Sequence, residues 1–113
     1  MTVHKIWGYY NVMYDTPDTK VKEITLDPRG MMSMQRHKNR NEYWIVVEGS
    51  CTLDTEMKEF NMMDTIILKK HDTFTINKNE WHRLANPSGD IPCKLIEIQY
   101  GEVCDEDDIE VLK

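Results

Sequence analysis

The stretch that says most about how this chain folds is Gln35-Arg36-His37-Lys38-Asn39-Arg40-Asn41-Glu42-Tyr43-Trp44-Ile45-Val46-Val47. Its second half, 43–47, is aromatic and β-branched, which is the composition of a half-buried strand. In its first half, Gln35 and His37 are two positions apart, so on a strand their side chains point to the same face. Glu42 follows the loop and begins the next strand, which lets its carboxylate return beside them.

A second histidine, His82, lies far downstream in the short segment Trp81-His82-Arg83. Two imidazoles and a carboxylate on adjacent strands form a three-ligand set with open positions, which suits Zn²⁺, Mn²⁺ or Fe²⁺. Gln35 would add a neutral amide oxygen as a fourth ligand. Spacing alone does not bring His82 to His37. A single histidine in a strand is more often exposed or hydrogen-bonded, so that interpretation stays open.

The rest of the chain alternates between short strands and polar turns. We expect strands over 20–26, 31–36, 43–47, 50–54, 65–68, 73–76, 81–85 and 94–100. Only 105–112 is expected to form one or two helical turns, with the acidic run 105–108 either solvated or at the start of that helix. Many short strands at regular spacing predict an all-β sandwich or small barrel.

Composition limits the classes of function. A chain of 113 residues suffices for one domain, which we expect to cover 1–113. Lys+Arg is 14 and Asp+Glu is 20, and the net charge of −6 argues against general nucleic-acid binding. No apolar run reaches the ~20 residues of a membrane helix, and no apolar segment opens the chain, so we expect a cytoplasmic protein without a membrane partner. Cys51, Cys93 and Cys104 are expected to be reduced structural thiols.

One family pattern covers nearly the whole chain. Its most specific part is the block Gln-x-His-x4-Glu with Trp44 and Gly49, and the flanking matches are 5–9, 20–24, 32–49, 82–87, 95–101 and 106–109. In these segments the chain resembles a cupin, a small jelly-roll barrel. It is most similar to the C-terminal domain of type II phosphomannose isomerases, which is usually fused to a mannose-1-phosphate guanylyltransferase. The resemblance implies a barrel with Gln35, His37, Glu42 and His82 as ligands of a divalent metal, zinc first, with manganese, iron or nickel as alternatives.

The chain departs from that pattern at several positions. Arg29 replaces a glycine of the first motif, and Asn77 and Asn79 replace a proline and a glycine of the second; turns tolerate these changes. Past 106–109 the family has an arginine that serves the phosphorylated sugar, where this chain has Val111. We therefore expect weak or absent mannose 6-phosphate isomerisation by the isolated chain, with metal binding intact.

The resemblance implies an aldose–ketose isomerase that interconverts mannose 6-phosphate and fructose 6-phosphate. Without the tail arginine, Arg40 and Arg83 are the candidates for binding a sugar phosphate, because each lies within a few residues of a proposed ligand. Lys22 and Arg83 are the candidate catalytic residues, Lys22 as a base if burial or a metal favours its neutral form. Two alternatives stay open: a cupin oxygenase, and a cupin that binds a sugar or metabolite without turnover.

The parity of the segment 31–36 bears on assembly. Met32, Met34 and Arg36 are expected to point away from Gln35 and His37. Two large apolar side chains on an outer face need cover, either by the N-terminal segment around Trp7 or by another subunit. Cyclic dimers are the commonest homo-oligomers, so we expect a homodimer.

Overall fold

The computed structural model describes residues 1–112, and Lys113 lies outside this range. Within it the chain forms short antiparallel strands, which confirms the all-β prediction. The strands are β1 (Thr2–Lys5), β2 (Gly8–Asp15), β3 (Thr19–Leu26), β4 (Gln35–Arg36), β5 (Arg40–Glu48), β6 (Cys51–Met57), β7 (Met62–Leu68), β8 (Thr73–Ile76), β9 (His82–Ala85), β10 (Cys93–Gly101) and β11 (Glu110–Val111). A single 3₁₀ turn, Lys58–Phe60, connects β6 to β7.

The strands form two antiparallel sheets. The first has the order β1-β2-β3-β10-β5-β8 and the second has the order β11-β4-β9-β6-β7. The late strand β10 therefore lies between β3 and β5, and each sheet is assembled from strands that are distant in sequence. Within residues 1–112, no helix is long and apolar enough to cross a membrane.

One end of the space between the sheets is apolar. Leu95 of β10 lies opposite Ile24 of β3 and Val46 of β5, and all three side chains are buried. Burying each such side chain contributes roughly 1.5–3 kcal/mol to folding. Cys51 and Cys93 complete this region as small buried side chains.

The inward face of the same central strands becomes polar two residues further along. There Glu97 and Gln99 of β10 are buried and point into the barrel. Their neighbours in register form the rows Lys22–Glu97–Trp44 and Lys20–Gln99–Glu42. Because buried charges are costly unless they are paired, two adjacent rows of buried polar groups indicate a site rather than a core.

Three segments differ from the sequence-based expectation. Residues 2–15, to which no strand was assigned, form the hairpin β1–β2. Regular pairing within 31–36 is limited to β4, and Met32 packs against the core and borders the polar end of the barrel. The expected outward direction of Met32 is therefore wrong, because strand parity does not hold through the irregular backbone before β4.

The expected helix over 105–112 is also wrong. The backbone N–H groups of Asp107 and Asp108 both donate to Asp105, one to its side chain and one to its carbonyl, which closes a tight turn. The chain then forms β11, which pairs with β4. This pairing connects residues about 75 apart in sequence, a contact that local propensity does not show.

Candidate metal centre

Two histidines and a glutamate meet at the polar end of the barrel. The Nε2 atom of His37 lies 3.1 Å from one carboxylate oxygen of Glu42, and Nε2 of His82 lies 3.6 Å from the other. One ligand atom from each residue falls within 4.8 Å of the others, and all three side chains are buried. The structure thus brings His82 to His37 and Glu42, which lie 40 or more residues earlier in the chain.

Two of the three side chains are on strands of different sheets, and the third directly follows a strand of the second sheet. Glu42 is on β5 of the first sheet, while His82 is on β9 of the second. His37 follows β4 directly, and β4 pairs with β9 so that Gln35 lies opposite His82. The cluster therefore exists only when the two sheets are packed together.

Each histidine is oriented by a backbone carbonyl. Nδ1 of His37 lies 2.6 Å from the carbonyl oxygen of Asp108, and Nδ1 of His82 lies 2.9 Å from that of Glu80. A carbonyl only accepts, so the proton of each neutral imidazole is on Nδ1 and the lone pair of Nε2 faces Glu42. This arrangement is the usual one for metal-binding histidines, whose second nitrogen donates to a carbonyl or carboxylate.

The charges of the cluster influence one another. Burial opposes ionisation of Glu42, but a protonated His37 donates from Nε2 to the carboxylate, and this bond together with the nearby charges of His82 and Arg40 holds the pKa of Glu42 well below its usual range. Burial also opposes protonation of His37, yet its contact with Glu42 raises the pKa of His37 above the ordinary value. For His82, burial dominates and lowers the pKa. An anionic carboxylate beside two imidazoles suits a divalent cation.

Arg40 is brought to the cluster, but its guanidinium is already engaged. It donates to Glu42 at 3.0 and 3.2 Å, and one of its nitrogens lies 3.3 Å from Nε2 of His37. It also donates to the carbonyl oxygen of Asp105. Because only one carboxylate oxygen of Glu42 binds Arg40, the other remains directed at His82. The donor set therefore fits a metal bound by His37, His82 and that second oxygen.

Gln35 borders the same space. Its Nε2 atom donates to the carbonyl oxygen of Ser33, and within residues 1–112 its amide oxygen takes part in no hydrogen bond. Because Gln35 lies opposite His82 in register and borders the cavity, it stays the candidate for the fourth ligand that the sequence suggested.

A cavity of about 200 Å³ opens beside the cluster. Besides the proposed ligands it is bordered by Lys22, Glu97, Gln99 and Glu106. Burial, together with the negative charge of Glu42, raises the pKa of Glu97 to about 7. The carboxylate of Glu97 accepts hydrogen bonds from the indole N–H of Trp44 and from the amide of Gln99.

Glu97 and Gln99 were not identified from the sequence. They share strand parity with Cys93 and Leu95, but the opposite parity of the same strand carries Ile96 and Ile98. Both faces of β10 therefore mix polar and apolar residues, and hydrophobicity alone favours neither as the inner one. A glutamate and a glutamine in phase with a buried leucine were the only signal.

Of the two remaining predicted residues, Lys22 lies inside the barrel and Arg83 lies outside it. Lys22 points into the cavity, where its ammonium group lies 2.6 Å from Glu106 and 4.0 Å from the ring centre of Tyr10. Arg83 does not reach the cavity. It follows His82 on β9 and so points to the other face, where it donates to Asp54 at 2.8 and 3.1 Å. This geometry argues against Arg83 as a substrate-binding or catalytic residue.

The acidic run 105–108, expected to be solvated or to begin a helix, contacts the site instead. The carboxylate of Asp108 accepts the backbone N–H groups of Lys38 and Asn39, the two residues that follow His37. Burial opposes ionisation of Glu106, but its hydrogen bond to Lys22 lowers the pKa of Glu106 below the ordinary value. The segment after β10 therefore binds the loop that follows His37 and also contributes a carboxylate to the border of the cavity.

Sequence comparisons identify relatives of this chain. A family model described as mannose-6-phosphate isomerase C-terminal matches residues 1–113. The alginate biosynthesis protein AlgA of Pseudomonas aeruginosa is 38% identical over 111 residues, covering 98% of this chain and 22% of the relative. The mannose-1-phosphate guanylyltransferase of Klebsiella pneumoniae is 35% identical over 111 residues, with the same coverage of 98% and 22%. This chain thus spans about a fifth of the length of these relatives.

Solved structures share its fold. Oxalate decarboxylase from Bacillus subtilis superposes with a TM-score of 0.84 at 11% identity, over 99% of this chain and 30% of that one. The capsular polysaccharide assembling protein CapF from Staphylococcus aureus superposes with a TM-score of 0.81 at 19% identity, over 100% of this chain and 32% of that one. These similarities confirm the cupin fold, and at such identities they bear on the fold alone.

Proposed function

Because this chain belongs to the mannose-6-phosphate isomerase C-terminal family, we propose that it is a metal-dependent isomerase of sugar phosphates, acting between mannose 6-phosphate and fructose 6-phosphate. The observation that carries the proposal is the buried His37–Glu42–His82 cluster beside a polar cavity. We place the reaction in the cytoplasm, where both sugar phosphates would be available.

The proposed metal ligands are His37, Glu42, His82 and Gln35. A divalent metal, zinc first, would polarise the carbonyl and hydroxyl oxygens of the sugar when bound there. Arg40 holds one oxygen of Glu42 and contacts His37, so we assign it to orienting the ligands rather than to binding the phosphate. Its charge also offsets that of the buried Glu42 carboxylate.

Isomerisation requires a base that moves a proton between C1 and C2 of the sugar. We assign this role to Glu97, which borders the cavity and is a diagonal cross-strand neighbour of Glu42. A pKa of about 7 suits it, because a base works best when its pKa is close to the working pH. Lys22, the other candidate, is engaged by Glu106, and we assign it to binding. Glu97→Gln should then lower kcat by about a hundredfold or more while metal content stays unchanged.

A metal analysis combined with a turnover assay tests the proposal. Protein purified without added metal should contain about one divalent ion per chain. It should also convert mannose 6-phosphate to fructose 6-phosphate in a coupled assay, although more slowly than a domain that has the tail arginine. The double variant His37→Ala, His82→Ala should lose both properties, whereas the exposed His4→Ala variant is the matched control and should keep both.

One observation favours a second candidate function, a metal-containing cupin that binds a sugar without turnover. Val111 stands where the family pattern has its tail arginine, and its side chain is exposed on β11. Metal and sugar binding without consumption of any sugar phosphate would favour this function over isomerisation. Oxygen uptake during the same assay would contradict both.

A further inference from the structure

Two lysines point into the barrel and share a single carboxylate. Lys20 and Lys22 are on the inward face of β3, with only 9% and 6% of their side-chain surfaces exposed. One oxygen of Glu106 lies 3.3 Å from the ammonium group of Lys20 and 2.6 Å from that of Lys22. Two other carboxyl groups are close: Asp15 is exposed and 3.9 Å from Lys20, and the buried Glu97 lies beside Lys22 in register. Lys22 borders the cavity, and Lys20 lies two residues earlier on the same inward face of β3. Buried ammonium groups are costly unless anions contact them, so this end of the barrel is built for negative charge.

The two lysines are on a firmly paired strand, whereas Glu106 is in an exposed turn. The lysines are on a strand that is paired on both sides, with β2 and with β10. Glu106 is in the turn between β10 and β11, and 49% of its side-chain surface is exposed. Rotation of the Glu106 side chain into solvent would therefore free both ammonium groups without breaking any strand pairing.

A second, independent feature lies between this place and the metal cluster. In register, Gln99 separates Lys20 from Glu42. Gln99 is 1% exposed, and within residues 1–112 its amide oxygen has no hydrogen-bond partner. A buried acceptor without a partner is costly, and a hydroxyl group of a ligand would satisfy it. The row thus contains, in order, a cation, a free acceptor and a metal ligand.

The dimensions of the row suit a sugar phosphate. Lys20 and Glu42 are two strands apart, which is about 10 Å along the sheet. A hexose chain can span that distance with its carbonyl end at the metal cluster and its phosphate at the lysines. A phosphate monoester carries close to two negative charges at neutral pH, matching two ammonium groups better than one carboxylate does.

We propose that Lys20 and Lys22 form the subsite for the phosphate group of the substrate, and that Glu106 is a carboxylate which this phosphate displaces. The inference rests on the proposed function for the identity of the sugar. It replaces the earlier assignment of the phosphate to Arg40 and Arg83, because one is engaged by Glu42 and the other points out of the cavity.

Calorimetric titration with mannose 6-phosphate and with inorganic phosphate tests the subsite without requiring turnover. Removing the competing carboxylate in Glu106→Gln should tighten both ligands by about tenfold, whereas Lys22→Met and Lys20→Met should each weaken them by about tenfold or more. Glu102→Gln, which alters an exposed ion pair with Lys78, is the matched control for the acidic variant and should bind as the unaltered chain does.

The test is decisive because Glu106→Gln is expected to tighten phosphate binding, whereas the two lysine variants are expected to weaken it. Unchanged or weaker phosphate binding in Glu106→Gln would overturn the proposal, as would unchanged binding in a folded Lys22→Met variant. Phosphate binding with the expected variant pattern but without turnover would support the subsite and count against the isomerase. Turnover that persists unchanged in both lysine variants would overturn the subsite and leave the isomerase standing.

Discussion

Glu97 lies where the charges of Glu42, Lys22 and Arg40 all act on one buried carboxyl group. Burial raises its pKa from 4.5 to about 7, the charge of Glu42 adds to this, and the two cations oppose it. Between pH 4.5 and 7 the unfolded chain loses this proton while the folded chain keeps it. The unfolded state then binds fewer protons, so the free energy of unfolding falls as the pH rises through this window.

Glu97→Gln should abolish this pH dependence, because an amide does not ionise. We expect the stability of the variant relative to the unaltered chain to increase by up to about 3 kcal/mol between pH 4.5 and 7.5. Urea unfolding at several pH values measures this difference. The exposed Glu48→Gln on β5 is the matched control and should show no such increase. A constant difference across the window would show that Glu97 is not held in its protonated form.

Arg83 illustrates how one position along a strand separates the inside of the barrel from the outside. Arg83→Ala removes a half-exposed ion pair with Asp54, so stability should fall by no more than about 1 kcal/mol. Metal content and sugar-phosphate affinity should be unchanged, which calorimetry and metal analysis would show. A clear loss of affinity in a folded Arg83→Ala variant would contradict the outward placement.

At the scale of elements, the turn 105–108 and β11 together form a clamp, meaning that they fix the position of the loop 37–39. Asp108 accepts two backbone hydrogen bonds from the residues after His37, and its own carbonyl oxygen orients the His37 ring. Arg36 continues this clamp, with bonds to Glu110 at 3.1 Å and its guanidinium stacked on Trp81. The tail therefore supports a ligand that lies about 70 residues earlier in the chain.

Asp108→Ala should weaken metal binding while leaving the ligands themselves intact. The change removes the carboxylate but keeps the carbonyl, so we expect about a tenfold loss of metal affinity. Competition with a chromophoric chelator measures it. Asp107→Ala is the matched control, because the neighbouring carboxylate is exposed and, within residues 1–112, accepts no hydrogen bond. Equal affinities of the two variants would contradict the clamp.

At the scale of the whole molecule, apolar side chains remain exposed on the hairpin of β6 and β7. Met57 lies opposite Met62 at its end, and Phe60 and Met63 are close by in the chain. The homodimer was predicted from Met32 and Met34, but Met32 packs against the core. Exposed apolar groups of this kind are typical of surfaces that meet a partner, so the homodimer stays a prediction with a different surface to account for it.

Light scattering at micromolar concentration tests the assembly. We expect twice the mass of one chain, and the double variant Phe60→Ser, Met62→Ser should shift the mass toward that of a single chain. The matched control Met13→Ser changes another exposed methionine, on β2 at the far end of the first sheet, and should leave the mass unchanged. A single-chain mass for the unaltered protein would contradict the prediction.

The sequence by itself determined the fold class and the chemical type of the site. Alternating short strands predict an all-β protein, and the spacing of Gln35, His37 and Glu42 predicts a shared face because strand periodicity is a local property. His82 was also a candidate from the sequence, but spacing alone did not bring it to His37; the family resemblance implied that meeting, and the structure places His82 within the same cluster.

Only the tertiary structure decided which face of each strand is the inner one. It also decided that the segment after β10 contacts the polar end of the barrel. Periodicity shows that Lys20 and Lys22 share a face, but a face is inside only if another sheet covers it. The same limit concealed Glu97 and Gln99, since both faces of β10 carry apolar residues. The tail contacts of Glu106 and Asp108 join residues about 70–85 positions apart, and no local pattern encodes a contact whose partner is supplied by the packing of the whole chain.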